Sequence, residues 1–165
     1  MLKQDLNPDY SNVQAFFLVA LRILLGWYFL YEGVTKLANP DWSAVGYLMD
    51  SKGPFSGIFL SLGSDMDVVA VVDCLNMWGL TLVGLGLLLG LFTQLSLAMG
   101  IVLLALYYLS HPALASVTYI MPQEGNYLVV NKTLIEIFAL SVLYVFPSGK
   151  VAGLDRIMYK WIRKP

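Results

Sequence analysis

The chain has 165 residues, of which 58% are hydrophobic and 13% charged, with a formal net charge of -1. Soluble domains carry about a quarter charged residues, so this composition favours a lipid-facing exterior and gives no support for a nucleic-acid partner. The single cysteine, Cys74, excludes an internal disulfide, and the single histidine, His111, excludes bis-histidine haem ligation within one chain.

The first predicted element is a membrane-spanning helix over residues 13–37. Crossing the hydrocarbon core takes roughly 20 helical residues, and Asn39-Pro40 is a plausible stop signal. Acidic residues lie in the preceding segment, Met1–Asn12, and no small-residue cleavage site follows the apolar run. We therefore expect this helix to be retained rather than removed as a signal peptide.

The long connection after the first span contains two predicted short helices, over residues 42–49 and 54–62. Aromatic residues favour the headgroup region of a bilayer, so we expect Trp42, Tyr47 and Phe55 to lie at that depth. Both short helices are predicted to be interfacial.

Three further spans are predicted over residues 68–92, 95–111 and 127–146. Thr93-Gln94 is a very short connection between the second and third spans, and Pro112 is expected to end or kink the third. The fold class is therefore all-α, a single membrane domain over residues 1–165 built as a four-helix bundle. The sequence offers no zinc or iron-sulfur ligand spacing, so no metal site is predicted.

The basic residues predict the orientation of the bundle. Residues 147–165 form a basic tail, whereas the connection between residues 109 and 127 has no Lys or Arg; the tail contains Lys150, Arg156, Lys160, Arg163 and Lys164. Because Lys and Arg accumulate on the cytoplasmic side, we expect the tail there, and an even number of spans places the N-terminus there as well. The predicted location is the bacterial cytoplasmic (inner) membrane, with the tail along its inner surface.

The most informative residues are ionisable side chains inside the spans, because a charge at mid-bilayer costs about 2.5 to 17 kcal/mol. On the first span three of them share an arc of about 80°, and on the fourth two lie four residues apart on one face. With Asn76 and Asn131 they predict a buried polar network in the outer half of the bundle. The charged members are Glu32, Lys36, Asp73, Lys132 and Glu136, with Arg22 deeper in the bundle.

Two interpretations of this network remain open. The charges could only pair with one another, which would fix helix register. Alternatively, they could line a polar cavity that binds a small molecule or relays protons. Tyr107 and His111 share a face of the third span near its outer end, where a solvated histidine is expected.

Several short motifs resemble the DoxX family of bacterial four-helix membrane proteins. They are Arg22-x3-Gly26, Gly33-x2-Lys36, the stretch Asn39 to Tyr47, Gly84-Leu-Gly86 and Asn131-Lys132-x3-Glu136. The family is named from membrane subunits of thiosulfate:quinone oxidoreductases, with DoxD as the relative. The resemblance implies a membrane subunit that passes electrons to quinone. The polar network would then bind the quinone carbonyls, with Trp78, Tyr107 and Tyr108 walling an apolar slot.

The sequence contains no identifiable flavin, haem or metal site, so electrons for a bound quinone would come from a partner redox subunit. Two alternatives from other classes stay open. One is a non-catalytic scaffold or assembly component of a partner complex, and the other is a small-solute or proton pathway. A homo-oligomer is compatible with all three.

Overall fold

The computed structural model describes residues 10–114, 117–120 and 127–162. Regular structure within these ranges is helical. The elements are α1 (Asn12–Ala38), α2 (Val45–Met49), α3 (Ser56–Ser64), α4 (Met66–Leu89), α5 (Thr93–Ser110), α6 (Lys132–Val145), a 3-10 turn (Ser148–Lys150) and α7 (Leu154–Ile162).

Local sequence signals set the ends of α1. A capping box joins Ser11 and Gln14, so that each side chain accepts a hydrogen bond from the other's backbone N–H. The helix ends at Ala38 because Asn39, which precedes a proline, adopts an extended conformation. Its 27 residues rise about 40 Å, enough to cross a bilayer.

Glycines allow α1 and α4 to pack with their backbones almost in contact. A Cβ atom at Gly33 would lie 2.6 Å from the backbone nitrogen of Thr81, and one at Gly84 would collide with the backbone of Leu30. Gly90 ends α4 in the left-handed conformation, at a φ of 63°, which glycine adopts without a steric penalty. This turn sends the chain directly into α5.

Four helices contribute to one apolar core. Phe29 of α1, Leu87 of α4, Leu97 of α5 and Leu140 of α6 are fully buried and belong to the same cluster. The outer faces of these helices are also apolar; for example, Leu24 is 69% exposed. Such a continuous apolar exterior is incompatible with water as the surrounding solvent, and it indicates a membrane protein.

Three helices of the described chain are long and apolar enough to span a membrane: α1, α4 and α5. The predicted fourth span coincides with α6, which has only 14 residues and rises about 21 Å. It begins at Lys132 rather than at Tyr127, because Tyr127 and Val130 close a turn and the Asn131 side chain caps the helix. The count of four crossings and the orientation of the termini stay predictions.

The connection between α1 and α4 forms two short helices, α2 and α3, close to the predicted ranges. Ala44 and Leu48 from the first part pack against Phe59 of α3 and Val69 of α4 in a second apolar cluster. We call residues 42–53 the lid, because they lie across the ends of α4 and α5 that face away from the tail.

The tail packs back onto the turn between α4 and α5. The Asp155 carboxylate accepts hydrogen bonds from the backbone N–H groups of Phe92 and Thr93 at 2.8 and 2.9 Å. It therefore caps the first turn of α5 from a distant part of the sequence. Residues 1–9, and with them most of the N-terminal segment, lie outside the described residues, as do Arg163 and Lys164 of the tail.

Candidate functional site

A cavity of about 190 Å³ lies between the lid and the bundle. Its walls come from the end of α1, the lid, α4 and α5. The lining residues are Lys36, Trp42, Ser43, Ala44, Tyr47, Asn76 and Tyr107. Pockets for drug-sized ligands measure roughly 300 to 1,000 Å³, so this smaller pocket has room for one ring with small substituents.

Lys36 is the charged centre of the pocket. Its ammonium group lies 3.2 Å from the side-chain oxygen of Asn76 and 3.8 Å from the Glu32 carboxylate. It also lies 5.0 Å from the ring centroid of Trp42 and 5.7 Å from that of Tyr107, within cation–π range. Glu32 balances the charge of Lys36, so the pocket offers a hydrogen-bond donor without a net charge.

Asn76 connects α4 to α5 at the floor of the pocket. Its amide nitrogen donates a hydrogen bond to the Tyr107 hydroxyl at 2.5 Å. Its amide oxygen is occupied by Lys36. The three side chains therefore hold one another in fixed positions, as a preorganised binding site requires.

Tyr47 is the lid residue that contacts α5 at the pocket. Its hydroxyl donates to the backbone carbonyl of Tyr107 at 3.2 Å, and the two rings meet edge to face with centroids 5.9 Å apart. Burial, together with Tyr107 and Tyr119, raises the pKa of Tyr47. The hydroxyl is therefore a neutral donor at physiological pH.

Asp73 has a role that the sequence did not suggest. Its carboxylate accepts a hydrogen bond from the backbone N–H of Ala44 at 2.7 Å. The residue thus anchors the start of the lid to α4 instead of pairing with a basic side chain of the network.

Lys132, Glu136 and Asn131 lie at the start of α6, beside the pocket rather than in it. The Lys132 ammonium lies 4.4 Å from the ring centroid of Tyr28. The Asn131 side chain caps α6 by accepting from the N–H of Leu134.

Arg22 stands apart from the other predicted network residues. It is 3% exposed and lies beside Gly90, at the opposite end of α4 from Asp73. The nearby charge is Asp155 of the tail, which acts on Arg22 electrostatically. Arg22 and Lys36 lie on one face of α1, but about four helical turns separate them along the helix axis. The two side chains therefore do not meet.

The three predicted wall residues are placed differently from one another. Tyr107 lines the pocket. Trp78 is 53% exposed on the outer face of α4 and does not line it. The Tyr108 hydroxyl donates to the backbone carbonyl of Val129 before α6. The other aromatic residues that line the pocket are Trp42 and Tyr47, which the sequence predicted to lie at headgroup depth.

A second polar cluster lies behind the lid, where the sequence predicted a solvated histidine. Asp50 and His111 are each 3% exposed, and the His111 Nε2 atom lies 4.0 Å from the Asp50 carboxylate. The imidazole stacks on Tyr47, with ring centroids 3.8 Å apart. Because Asp50 lies in a loop, the sequence did not indicate that its charge is buried. The sequence indicated this cluster only through the shared helical face of Tyr107 and His111.

A family model provides independent information on this architecture. The DoxX model matches residues 17–112, more than half of the chain. The chain belongs to the DoxX family. The DoxX match covers most of α1, all of α2 to α5 and every residue that lines the pocket, whereas α6 lies beyond it.

Two wider comparisons add no further relatives to this DoxX protein. No curated protein and no solved structure matches the chain.

Proposed function

We propose that the chain is the quinone-binding membrane subunit of a quinone-linked oxidoreductase. The observation that carries this proposal is the pocket itself, in which Lys36, Asn76 and two tyrosines meet beside an indole. A quinone ring has a flat apolar face and two carbonyl oxygens that accept hydrogen bonds. Lys36 would donate to one carbonyl, while Trp42 would stack on the ring.

The charge balance of the pocket favours a neutral ring over a free anion. A thiosulfate or sulfite ion would carry negative charge to a site where Glu32 already lies 3.8 Å from Lys36. Repulsion by this carboxylate opposes a second anion. The sulfur compound would accordingly react on a partner subunit, and its assignment as the electron source rests on the DoxX family alone.

Reduction of a quinone consumes two electrons and two protons, so the site must also handle protons. Glu32 is 41% exposed in its side chain and contacts Lys36. We propose that this carboxylate exchanges protons with the ring, while electrons would come from the partner.

Tryptophan quenching tests the proposal in protein reconstituted into nanodiscs. A short-chain quinone should quench the emission of Trp42 saturably, because the ring would contact the indole. Trp42→Phe should abolish the saturable component. Trp78→Phe is the matched control, since Trp78 faces away from the pocket, and it should retain that component.

The contribution of Lys36 is measurable in the same assay. Hydrogen bonds to charged groups contribute about 1.5 to 3 kcal/mol, so Lys36→Met should weaken quinone binding by roughly tenfold or more. Non-saturable quenching, unchanged in Trp42→Phe and Lys36→Met, would contradict a quinone site. That result would favour the scaffold or solute-pathway alternatives.

A further inference from the structure

The end of the bundle opposite the lid contains several buried hydrogen-bond donors that lack acceptors. The Nε and Nη1 atoms of Arg22 and the hydroxyls of Thr93 and Ser148 are buried, and none of them has a hydrogen-bond partner in the described part of the chain. The three residues are each at most 3% exposed. Because buried polar groups are nearly always paired, a group of unpaired donors is typical of a place where an ion or a water binds.

These donors lie around the turn between α4 and α5. A Cβ atom at Gly90, in the turn, would lie 3.3 Å from the guanidinium carbon of Arg22. A Cβ atom at Gly149 would lie 2.5 Å from the Thr93 hydroxyl oxygen and 3.0 Å from the Asp155 carboxylate. The Asp155 backbone N–H donates to the carbonyl of Gly90 at 2.8 Å. Asp155 of the tail is therefore next to both groups of donors.

The Asp155 carboxylate satisfies only part of this donor set. It accepts from the backbone N–H groups of Phe92 and Thr93 at the start of α5, whereas the Arg22 nitrogens and the two hydroxyls named above stay unpaired among the described residues. A helix N-terminus, an arginine and hydroxyls are together the usual partners of a phosphate group. The tetrahedral oxygens of a phosphate reach donors from several directions, which a planar carboxylate does not.

We propose that this region binds the phosphate group of an anionic phospholipid, and that Asp155 occupies it as an internal anion that the lipid displaces. The Gln94 side chain donates to the carbonyl of Tyr144, so the start of α5 and the end of α6 lie at the same level as the end of α4. Ends of three helices at one level place the site at headgroup depth. On the orientation that the Lys and Arg distribution predicts, it faces the cytoplasmic leaflet, whose surface is negatively charged.

Displacement of Asp155 would release the tail, because this residue makes three of the hydrogen bonds that attach it to the turn. Like charges disfavour a phosphate and a carboxylate in the same site, so binding of one opposes binding of the other. Leu154 and Ile157 of α7 are 40% and 56% exposed, and Arg156 lies between them in the sequence. A short helix with apolar and basic side chains of this kind binds an anionic membrane surface.

Spin-label distances in nanodiscs of defined lipid composition test this exchange. In a Cys74→Ser background, Leu95→Cys on α5 and Ile157→Cys on α7 place labels at exposed positions. Replacement of phosphatidylcholine by phosphatidylglycerol should lengthen the distance saturably, as the tail leaves the turn. Asp155→Asn should give the longer distance already in phosphatidylcholine, and Arg22→Gln should remove the response to phosphatidylglycerol.

Arg156→Gln is the matched control, because Arg156 is an exposed arginine of the tail itself. Non-specific attraction between a basic tail and anionic lipid predicts that both arginine variants weaken the response, whereas a phosphate site predicts that Arg156→Gln retains most of it. Thr93→Val removes one hydroxyl donor with little change of shape. It should raise the phosphatidylglycerol fraction at half response several-fold, and it keeps the test decisive if Arg22→Gln does not fold.

Inorganic phosphate added to phosphatidylcholine nanodiscs distinguishes the two sources of a phosphate group. A response to phosphatidylglycerol, with or without one to inorganic phosphate, supports the lipid site. A response to inorganic phosphate alone would overturn the assignment to a lipid. An unchanged distance in phosphatidylglycerol, or an equal response in Arg22→Gln, would overturn the phosphate site itself. Since no quinone is present, these outcomes leave the quinone-site test unaffected.

Discussion

At the scale of single residues, the polar side chains of the predicted network have different partners. Lys36 and Glu32 belong to the pocket, whereas Asp73 and Asn131 satisfy backbone N–H groups of the lid and α6. Both uses give a polar side chain a partner inside the apolar bundle.

The pair at the start of α6 gives a residue-scale prediction. Lys132→Met alone, or Glu136→Leu alone, should lower the stability by about 1 to 3 kcal/mol, less than the 3 to 5 kcal/mol of a fully buried pair. The double replacement should be much milder, because neither change then leaves an unmatched charge. Thermal melting in detergent measures all three variants. A double variant as unstable as the sum of the singles would show that the two charges are independent.

At the scale of elements, close packing of α1 on α4 sets the geometry of the pocket. It aligns Lys36 of α1 with Asn76 of α4, which are 40 residues apart in sequence and within hydrogen-bonding distance. Glycines make this approach feasible, since larger residues at Gly33 or Gly84 would separate the helices.

Gly84→Ala tests this packing directly. Its new Cβ would overlap the backbone of Leu30, and overpacking of this kind costs about 1 to 3 kcal/mol. Gly57→Ala is the matched control, because its Cβ would meet no atom within 4 Å and alanine favours the helix by about 0.5 to 1 kcal/mol. Melting temperatures should therefore fall for the first and hold or rise for the second. Equal behaviour of the two would contradict the close helix contact.

At the scale of the whole molecule, hydrophobic periodicity predicted the positions of α1, α4 and α5 within a few residues. The start of α6 was misplaced because Tyr127 to Val130 is apolar yet forms a turn, with Leu128 at a φ of 68°. Apolar composition alone does not distinguish such a turn from a helix.

The site was less predictable than the fold. Lys36, Asn76 and Tyr107 were identified because polar residues are conspicuous inside apolar spans. The burial of Asp50 and His111 depends on how the lid folds over the bundle, and the capping role of Asp73 depends on the same tertiary contact. Arg22 was expected deeper than the other charges, but its position beside Gly90 and near Asp155 of the tail depends on tertiary contacts that helical projection does not describe.

The number of membrane crossings gives a prediction for the whole chain. With four crossings both termini face the same side, whereas three crossings by α1, α4 and α5 would place them on opposite sides. Reporter fusions that fluoresce only in the cytoplasm should be active at both the N-terminus and the C-terminus. Activity at one terminus alone would show that α6 does not cross.

Photolabelling by a quinone tests the central claim most directly. An azidoquinone should attach to peptides containing the lid residues Trp42 to Tyr47 or the α5 residue Tyr107. Excess unlabelled quinone should prevent this labelling, and Lys36→Met should reduce it. Labelling confined to lipid-facing positions such as Leu24 or Trp78, and insensitive to competition, would contradict a quinone pocket beneath the lid.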